Sequence, residues 1–171
     1  MSAAAISLGG RLSQQRRLVL MMAGVGVLAL LAHLLPGPRT IDDAFITFRY
    51  SRNLVEGHGF VYNPGVRTLG TTTPLYTLLM AALGWTTGSE AYPWLAVVVN
   101  ALAAALTALL LARLMHRLTG HLLPAAVVGV LWAVSPMSVT FAVGGMETSV
   151  AILWLVAATY AYAIGRERWV A

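Results

Sequence analysis

Long apolar runs with few charges alternate along this chain with polar connections. The first runs from Leu18 to Leu35, which as a helix would reach about 27 Å, close to the thickness of a bilayer core. The second, Tyr92 to Leu114, opens on Tyr92 and Trp94, residue types that favour the membrane interface, and closes before His116 and Arg117. A third, from Leu122 to about Val139, is interrupted by Ser135-Pro136, and a fourth covers Met146 to Ile164. The pattern predicts an all-α polytopic membrane protein with about four transmembrane helices, at 18–35, 92–114, 122–139 and 146–164. Residues 1–17 form a tail and 165–171 a short end. The basic residues Arg11, Arg16 and Arg17 before the first run resemble a signal peptide. That run, however, exceeds the roughly 7–15 residues of a signal-peptide core and lacks a small-residue cleavage site, so it reads as a retained signal anchor.

Between Pro36 and Ala91 the apolar pattern breaks. Pro36-Gly37-Pro38 stops the first helix, because proline has no amide donor and restricts its predecessor. From Thr40 to Glu56 helical spacing resumes. Ile41, Ala44, Phe45, Phe48 and Val55 fall on one stripe and Asp42, Arg49, Asn53 and Glu56 on another, as in a helix lying on a membrane surface. Gly57-His58-Gly59, Asn63-Pro64-Gly65 and Gly70 mark turns around a short extended piece, Phe60-Val61-Tyr62. Thr71-Thr72-Thr73-Pro74 then opens a second apolar helix to Trp85, too short to span and so juxtamembrane or re-entrant.

Composition agrees: 58% of the 171 residues are apolar and 10% charged, with mean hydropathy +0.76. A soluble domain carries about 25% charged residues. All 11 basic side chains are arginines, spread along the chain, which argues against nucleic acid as a partner. Seven of them (11, 16, 17, 113, 117, 166, 168) flank one set of span ends, against four (39, 49, 52, 67) in the 36–91 segment. The excess places both termini in the cytoplasm and the long loop outside. Cysteine is absent, and His33, His58, His116 and His121 lack zinc-site spacing.

The outer loop holds four of the six acids, Asp42, Asp43, Glu56 and Glu90. Thr40-Ile41-Asp42-Asp43 reads as a capping box, and acids in a first helical turn are favoured by the dipole by about 0.3–1 kcal/mol. Glu147, in Gly144-Gly145-Met146-Glu147-Thr148, falls at the outer end of the fourth span. An acid there either reaches the headgroup layer or faces a protein cavity. The topology sets these three carboxylates, from two distant segments, at one membrane face.

The ordered series Ile41-Asp42-Asp43-Ala44-Phe45-Ile46-Thr47-Phe48-Arg49-Tyr50, Arg52-Asn53-Leu54, Glu56-Gly57-His58-Gly59, Tyr62-Asn63-Pro64-Gly65 and Gly70-Thr71-Thr72-Thr73-Pro74-Leu75-Tyr76 resembles the first external loop of bacterial GT-C membrane glycosyltransferases. The nearest groups are the terminal arabinofuranosyltransferases and, more distantly, protein O-mannosyltransferases and lipid A aminoarabinose transferases. Gly145-Met146-Glu147-Thr148 is similar to their Gly-Leu-Glu-Thr element, whereas Val66 stands where many relatives have glutamate.

The resemblance implies an enzyme of the bacterial cytoplasmic membrane. It would move a sugar from a polyprenyl-phosphate-linked donor, within membrane lipid, to a glycan, lipid or protein acceptor on the outer face. Carried over, Asp42 and Asp43 supply the general base or help to hold a divalent metal ion such as Mg or Mn, with Glu147 as the supporting acid. A hydroxyl nucleophile needs a carboxylate to take its proton, and a leaving phosphate needs a compensating positive charge. Arg49 and Arg52 are candidates for that phosphate, with lipid headgroups as their other use. A turn residue such as His58 is expected in solvent, and Asn100 is expected to bond a neighbouring helix rather than a ligand. Because such enzymes resemble bundles of about ten or more spans, the four here read as the amino-terminal portion of a longer enzyme, with a further span expected after Ala171 and no catalysis expected from this portion alone. The alternative from another class is a non-catalytic four-helix scaffold or transporter subunit whose loop acids only cap helices; a third is an inactive remnant.

Overall fold

The computed structural model describes the backbone of residues 3–170 and the side chains of residues 13–165. Among the described residues the regular elements are seven helices: α1 (Ala3–Leu34), α2 (Asp42–Val55), α3 (Pro74–Thr87), α4 (Tyr92–Thr119), α5 (Leu122–Ala133), α6 (Pro136–Val143) and α7 (Thr148–Val170). Ser13–Leu34, Tyr92–Thr119 and Thr148–Gly165 are long and apolar enough to cross a membrane. The pair α5 and α6, bent by 44° at their junction, makes a fourth crossing if counted as one span. The chain is thus an all-α polytopic membrane protein. The side chains of Arg11, Arg166 and Arg168, which enter the orientation argument, lie outside the described residues.

The bend has a local cause. Pro136 opens α6 and has no amide to continue the hydrogen bonds of α5, so the ladder restarts with Val139 N–H donating to the Ser135 carbonyl at 3.0 Å. The helix then runs on to Val143, past the expected boundary at 139.

Helix α4 is the hub, packed against α1, α3, α5, α6 and α7. Its buried positions include Ala96, Ala101, Ala104, Ala105, Ala108 and Ala112, so neighbouring backbones come close. Gly129 on α5 extends this contact: a Cβ there would lie 2.9 Å from Val25 Cγ1 and 3.1 Å from Ala112 Cβ. Trp132 Nε1 donates to the Ala104 carbonyl at 3.2 Å, and His33 of α1 sits between Ala29 O at 2.7 Å and Ser138 Oγ of α6 at 2.9 Å. Because a carbonyl only accepts, the proton is on Nδ1.

The 36–91 segment folds over one end of the bundle. Helices α2 and α3 pack on each other. A cluster of Ala44, Phe48, Tyr76, Met80, Tyr92 and Ala96 joins them to α4. Phe48 stacks on Tyr92 with centroids 5.9 Å apart. Gly84 is required at this junction, because a Cβ would lie 2.6 Å from the Tyr92 hydroxyl. The 60–62 piece forms no strand; only an isolated bridge between Asn63 and Val66 occurs nearby.

Candidate functional site

Two backbone hydrogen bonds tie the start of the 36–91 segment to the turn after α6. Arg39 N–H donates to the Val143 carbonyl at 2.9 Å and Ile41 N–H to the Gly144 carbonyl at 3.1 Å. Gly145 follows with φ +82°, and a Cβ on it would lie 3.2 Å from Phe48 Cζ and 3.3 Å from Ala44 Cβ of α2. Only glycine accepts both the angle and the contact without strain. Helix α2, with Asp42 and Asp43 in its first turn, therefore docks on the turn that carries Glu147. Two acidic segments distant in sequence meet at one end of the bundle.

The capping box does not form. The N-cap is Ile41, with φ −85° and ψ 156°, and no side chain caps the helix. The reason is tertiary: residues 39–41 run against 143–144, so the helix begins one residue later than the Thr-x-x-Asp pattern places it. Asp42 and Asp43 are exposed, and among the described residues no hydrogen bond or ion pair engages their carboxylates.

Glu147 stands immediately before α7, and its carbonyl accepts from Ala151 N–H at 2.9 Å. Its Oε2 is buried with no hydrogen-bond partner. The side chain lines an apolar groove of about 490 Å³ between α3 and α7, with Thr72, Thr73, Tyr76, Leu79 and Trp154. Tyr76, buried beside it, donates weakly to the Gly145 carbonyl at 3.4 Å. Burial pushes its phenol well above the ordinary tyrosine value, the neighbouring Asn100 amide opposes this, and the charge of Glu147 adds to it. The remaining polar contact is Asn100, fully buried in α4, whose Nδ2 donates to Ala142 O at 3.2 Å and Met146 O at 2.9 Å. As its sequence context implies, it bonds a neighbouring helix.

The two loop arginines differ. Arg49 is committed to the following turn: Nε donates to the Tyr62 carbonyl at 2.8 Å, Nη2 to Asn63 Oδ1 at 3.1 Å, and the guanidinium lies 4.8 Å from the centre of the Tyr62 ring. The guanidinium of Arg52, one turn on and exposed, has no hydrogen bond or ion pair among the described residues. Both line a small cleft of about 210 Å³ with Phe45, Phe48 and Tyr62. Asp42, Phe45, Arg49, Arg52 and Glu56 form the exposed face of α2. Asn53, expected on that polar stripe, is instead buried and donates to the carbonyls of Val61 at 2.7 Å and Tyr62 at 2.9 Å. The apolar stripe holds only in part: Ala44 and Phe48 are buried, whereas Ile41, Phe45 and Val55 are exposed.

Two residues that shape the site gave little sign of it. Tyr50, fully buried, donates to Thr68 O at 2.6 Å and accepts from Gly70 N–H at 2.7 Å, fixing the second half of the loop. Tyr76 forms the groove floor beside Glu147. His58 is exposed, 3.4 Å from Glu56. Among the described residues, no three His, Asp or Glu side chains gather as a group that could hold a metal ion. Asp42, Asp43 and Glu147 thus share an end of the bundle without forming a three-carboxylate metal site.

Over 117 residues the chain is 31% identical to a terminal beta-(1->2)-arabinofuranosyltransferase of Corynebacterium glutamicum, a stretch covering 67% of this chain. It spans 17% of that relative's length. No family model matches the chain, and no solved structure matches it. The likeness to a glycosyltransferase and the helices long enough to cross a membrane together fit a glycosyltransferase-like membrane protein.

Proposed function

We propose that this chain carries the acidic face of an integral membrane glycosyltransferase of the GT-C type. The enzyme transfers a sugar from a polyprenyl-phosphate donor to a cell-envelope acceptor on the outer side of the cytoplasmic membrane. The observation that supports this most is the docking of α2 on the 143–147 turn, which sets Asp42, Asp43 and Glu147 at one end of the bundle. The likeness to an arabinofuranosyltransferase makes a pentofuranose the first sugar to try.

In this reading one of Asp42 and Asp43, both unpaired and open to solvent, takes the proton of an acceptor hydroxyl as it attacks the anomeric carbon. The bond to the donor phosphate breaks, and the leaving polyprenyl phosphate gains negative charge. Arg52 has donors to spare for that phosphate, whereas Arg49 shapes the cleft wall by holding Tyr62 and Asn63. Glu147 supports the site from the α3–α7 groove. Among the described residues no three acidic or histidine side chains gather around one position, so a metal ion held by all three carboxylates is not part of this reading.

The test is transfer of radiolabelled arabinose from a polyprenyl-phosphate-linked donor to an arabinan oligosaccharide, using membranes containing the full-length protein that carries this chain against membranes lacking it. A labelled product that depends on the chain supports the reading. Equal product in both membranes refutes it.

A further inference from the structure

Asparagine is a costly choice at position 100. It lies within the apolar run of α4, its residue is fully buried, and its Oδ1 has no hydrogen-bond partner. A leucine would fill a similar volume without leaving a buried acceptor orphaned. The amide nitrogen accounts for what is gained. It donates to Ala142 O at 3.2 Å and Met146 O at 2.9 Å, one carbonyl on each side of Gly144-Gly145. This turn joins α6 to α7, presents Glu147, and receives the Arg39 and Ile41 amides. With φ +82° at Gly145, its backbone has more freedom than a helical stretch and must be fixed from outside.

We infer that Asn100 is a positioning residue for Glu147: a single amide group spanning the Gly144-Gly145 turn holds it at the angle that sets Glu147 in the groove and α2 against its flank. This rests on the reading of Glu147 as the supporting acid of a transferase. Three features of one turn meet in this contact: two carbonyls in place, a positive-φ glycine between them, and a carboxylate directly after. Other buried side-chain bonds of α4 do not share them. Thr107 Oγ1 donates to Ala103 O within α4, and Trp132 Nε1 reaches Ala104 O from α5, one helical turn along from Asn100 and with no bond to the 144–147 turn.

The experiment uses the full-length protein that carries this chain, in lipid vesicles. Asn100→Leu and Asn100→Ala remove the donor, and Trp132→Phe serves as control, because it breaks another inter-helix bond to α4. In each background Thr148→Cys, directly after Glu147, reports the turn through its rate of labelling by a membrane-impermeant maleimide. Both Asn100 variants should raise that rate several-fold and Trp132→Phe should not; equal rates in all backgrounds overturn the inference, with no turnover needed.

The second readout is transfer from the polyprenyl-phosphate-linked arabinose donor, with Thr148 intact. Asn100→Leu should lower kcat by about tenfold to a hundredfold with KM within about twofold. It should cause no further loss on a Glu147→Gln background, because it acts through that carboxylate. Additive losses, or an equal loss in Trp132→Phe, mean general destabilisation and overturn it. Should the leucine variant not accumulate, the alanine variant carries the same readouts, and failure of both to accumulate makes Asn100 a folding residue instead. If Glu147→Gln transfers at the wild-type rate, the role given to Glu147 fails, while the labelling rates still decide whether Asn100 clamps the turn.

Discussion

The backbone N–H of Ile41 donates to the carbonyl of Gly144 at 3.1 Å, although helices α2 to α6 lie between the two residues in sequence. This bond fixes where α2 begins, and with it the location of Asp42 and Asp43. The same turn carries Glu147, so the placement of all three acids depends on how residues 143–145 are held.

Gly145→Ala tests that dependence. At φ +82°, with Phe48 Cζ and Ala44 Cβ 3.2 and 3.3 Å from where the new methyl would lie, the substitution should cost about 1–3 kcal/mol. Thermal unfolding in detergent should show a lower midpoint, and proteolysis should cut earlier within residues 36–60. A wild-type midpoint would mean that the turn adapts and does not fix α2.

The two loop arginines should separate. Arg49→Ala removes two hydrogen bonds and a cation–π contact to the 62–63 turn. Limited proteolysis near Asn63 should therefore accelerate several-fold. Arg52→Ala breaks no such contact and should leave proteolysis unchanged while lowering transfer. The opposite assignment of effects would make Arg49 the phosphate ligand.

Position 129 reports the packing of the bundle. Gly129→Leu drives a side chain into Val25 and Ala112, which leave no room even for a Cβ at 2.9 and 3.1 Å. Overpacking of this kind costs about 1–3 kcal/mol. The thermal midpoint should fall, and a midpoint equal to wild type would show that α1 and α5 are not in contact there.

Tyr76 gives the pH dependence. Its folded value lies above the ordinary tyrosine value near 10 because burial disfavours the phenolate. The proton is thus held more tightly in the folded chain. The associated stability is fully present below pH 10 and is lost as pH rises from there through the folded value. Absorbance near 295 nm during alkaline titration of the folded protein should show the same step around pH 10 in wild type and Tyr76→Phe. A smaller step in the variant would mean that Tyr76 ionises normally and is open to water.

The membrane-crossing helices were legible because long apolar runs with at most one charge carry their own signal: α1 covers 18–34 of the expected 18–35, α4 contains 92–114, and the Ser135-Pro136 interruption is the α5–α6 bend. The 36–91 loop was readable as helices and turns, but not in its contacts. Asn53 sits on the polar stripe of a helical wheel, yet it bonds carbonyls at 61 and 62 that a turn brings back to it. Thr40-Ile41-Asp42-Asp43 meets the local rule for a capping box, and the rule fails because the Gly144 carbonyl takes the Ile41 amide first. Arg49 has the residue type of a phosphate ligand, and its contacts to the 62–63 turn could not be read from that type. Glu147 stood out as an acid beside an apolar run, whereas the clamp on its turn comes from Asn100, in another helix, and left no local pattern.

The claim that the Asp42 and Asp43 carboxylates perform the chemistry is tested most directly by Asp42→Asn with Asp43→Asn in the full-length protein, measured as transfer from polyprenyl-phosphate-linked arabinose alongside the amount of inserted protein. Both side chains are exposed and unpaired among the described residues, and they cap nothing. The double variant should therefore insert and accumulate as wild type while transfer falls to background. Wild-type transfer by a fully inserted double variant would contradict the account.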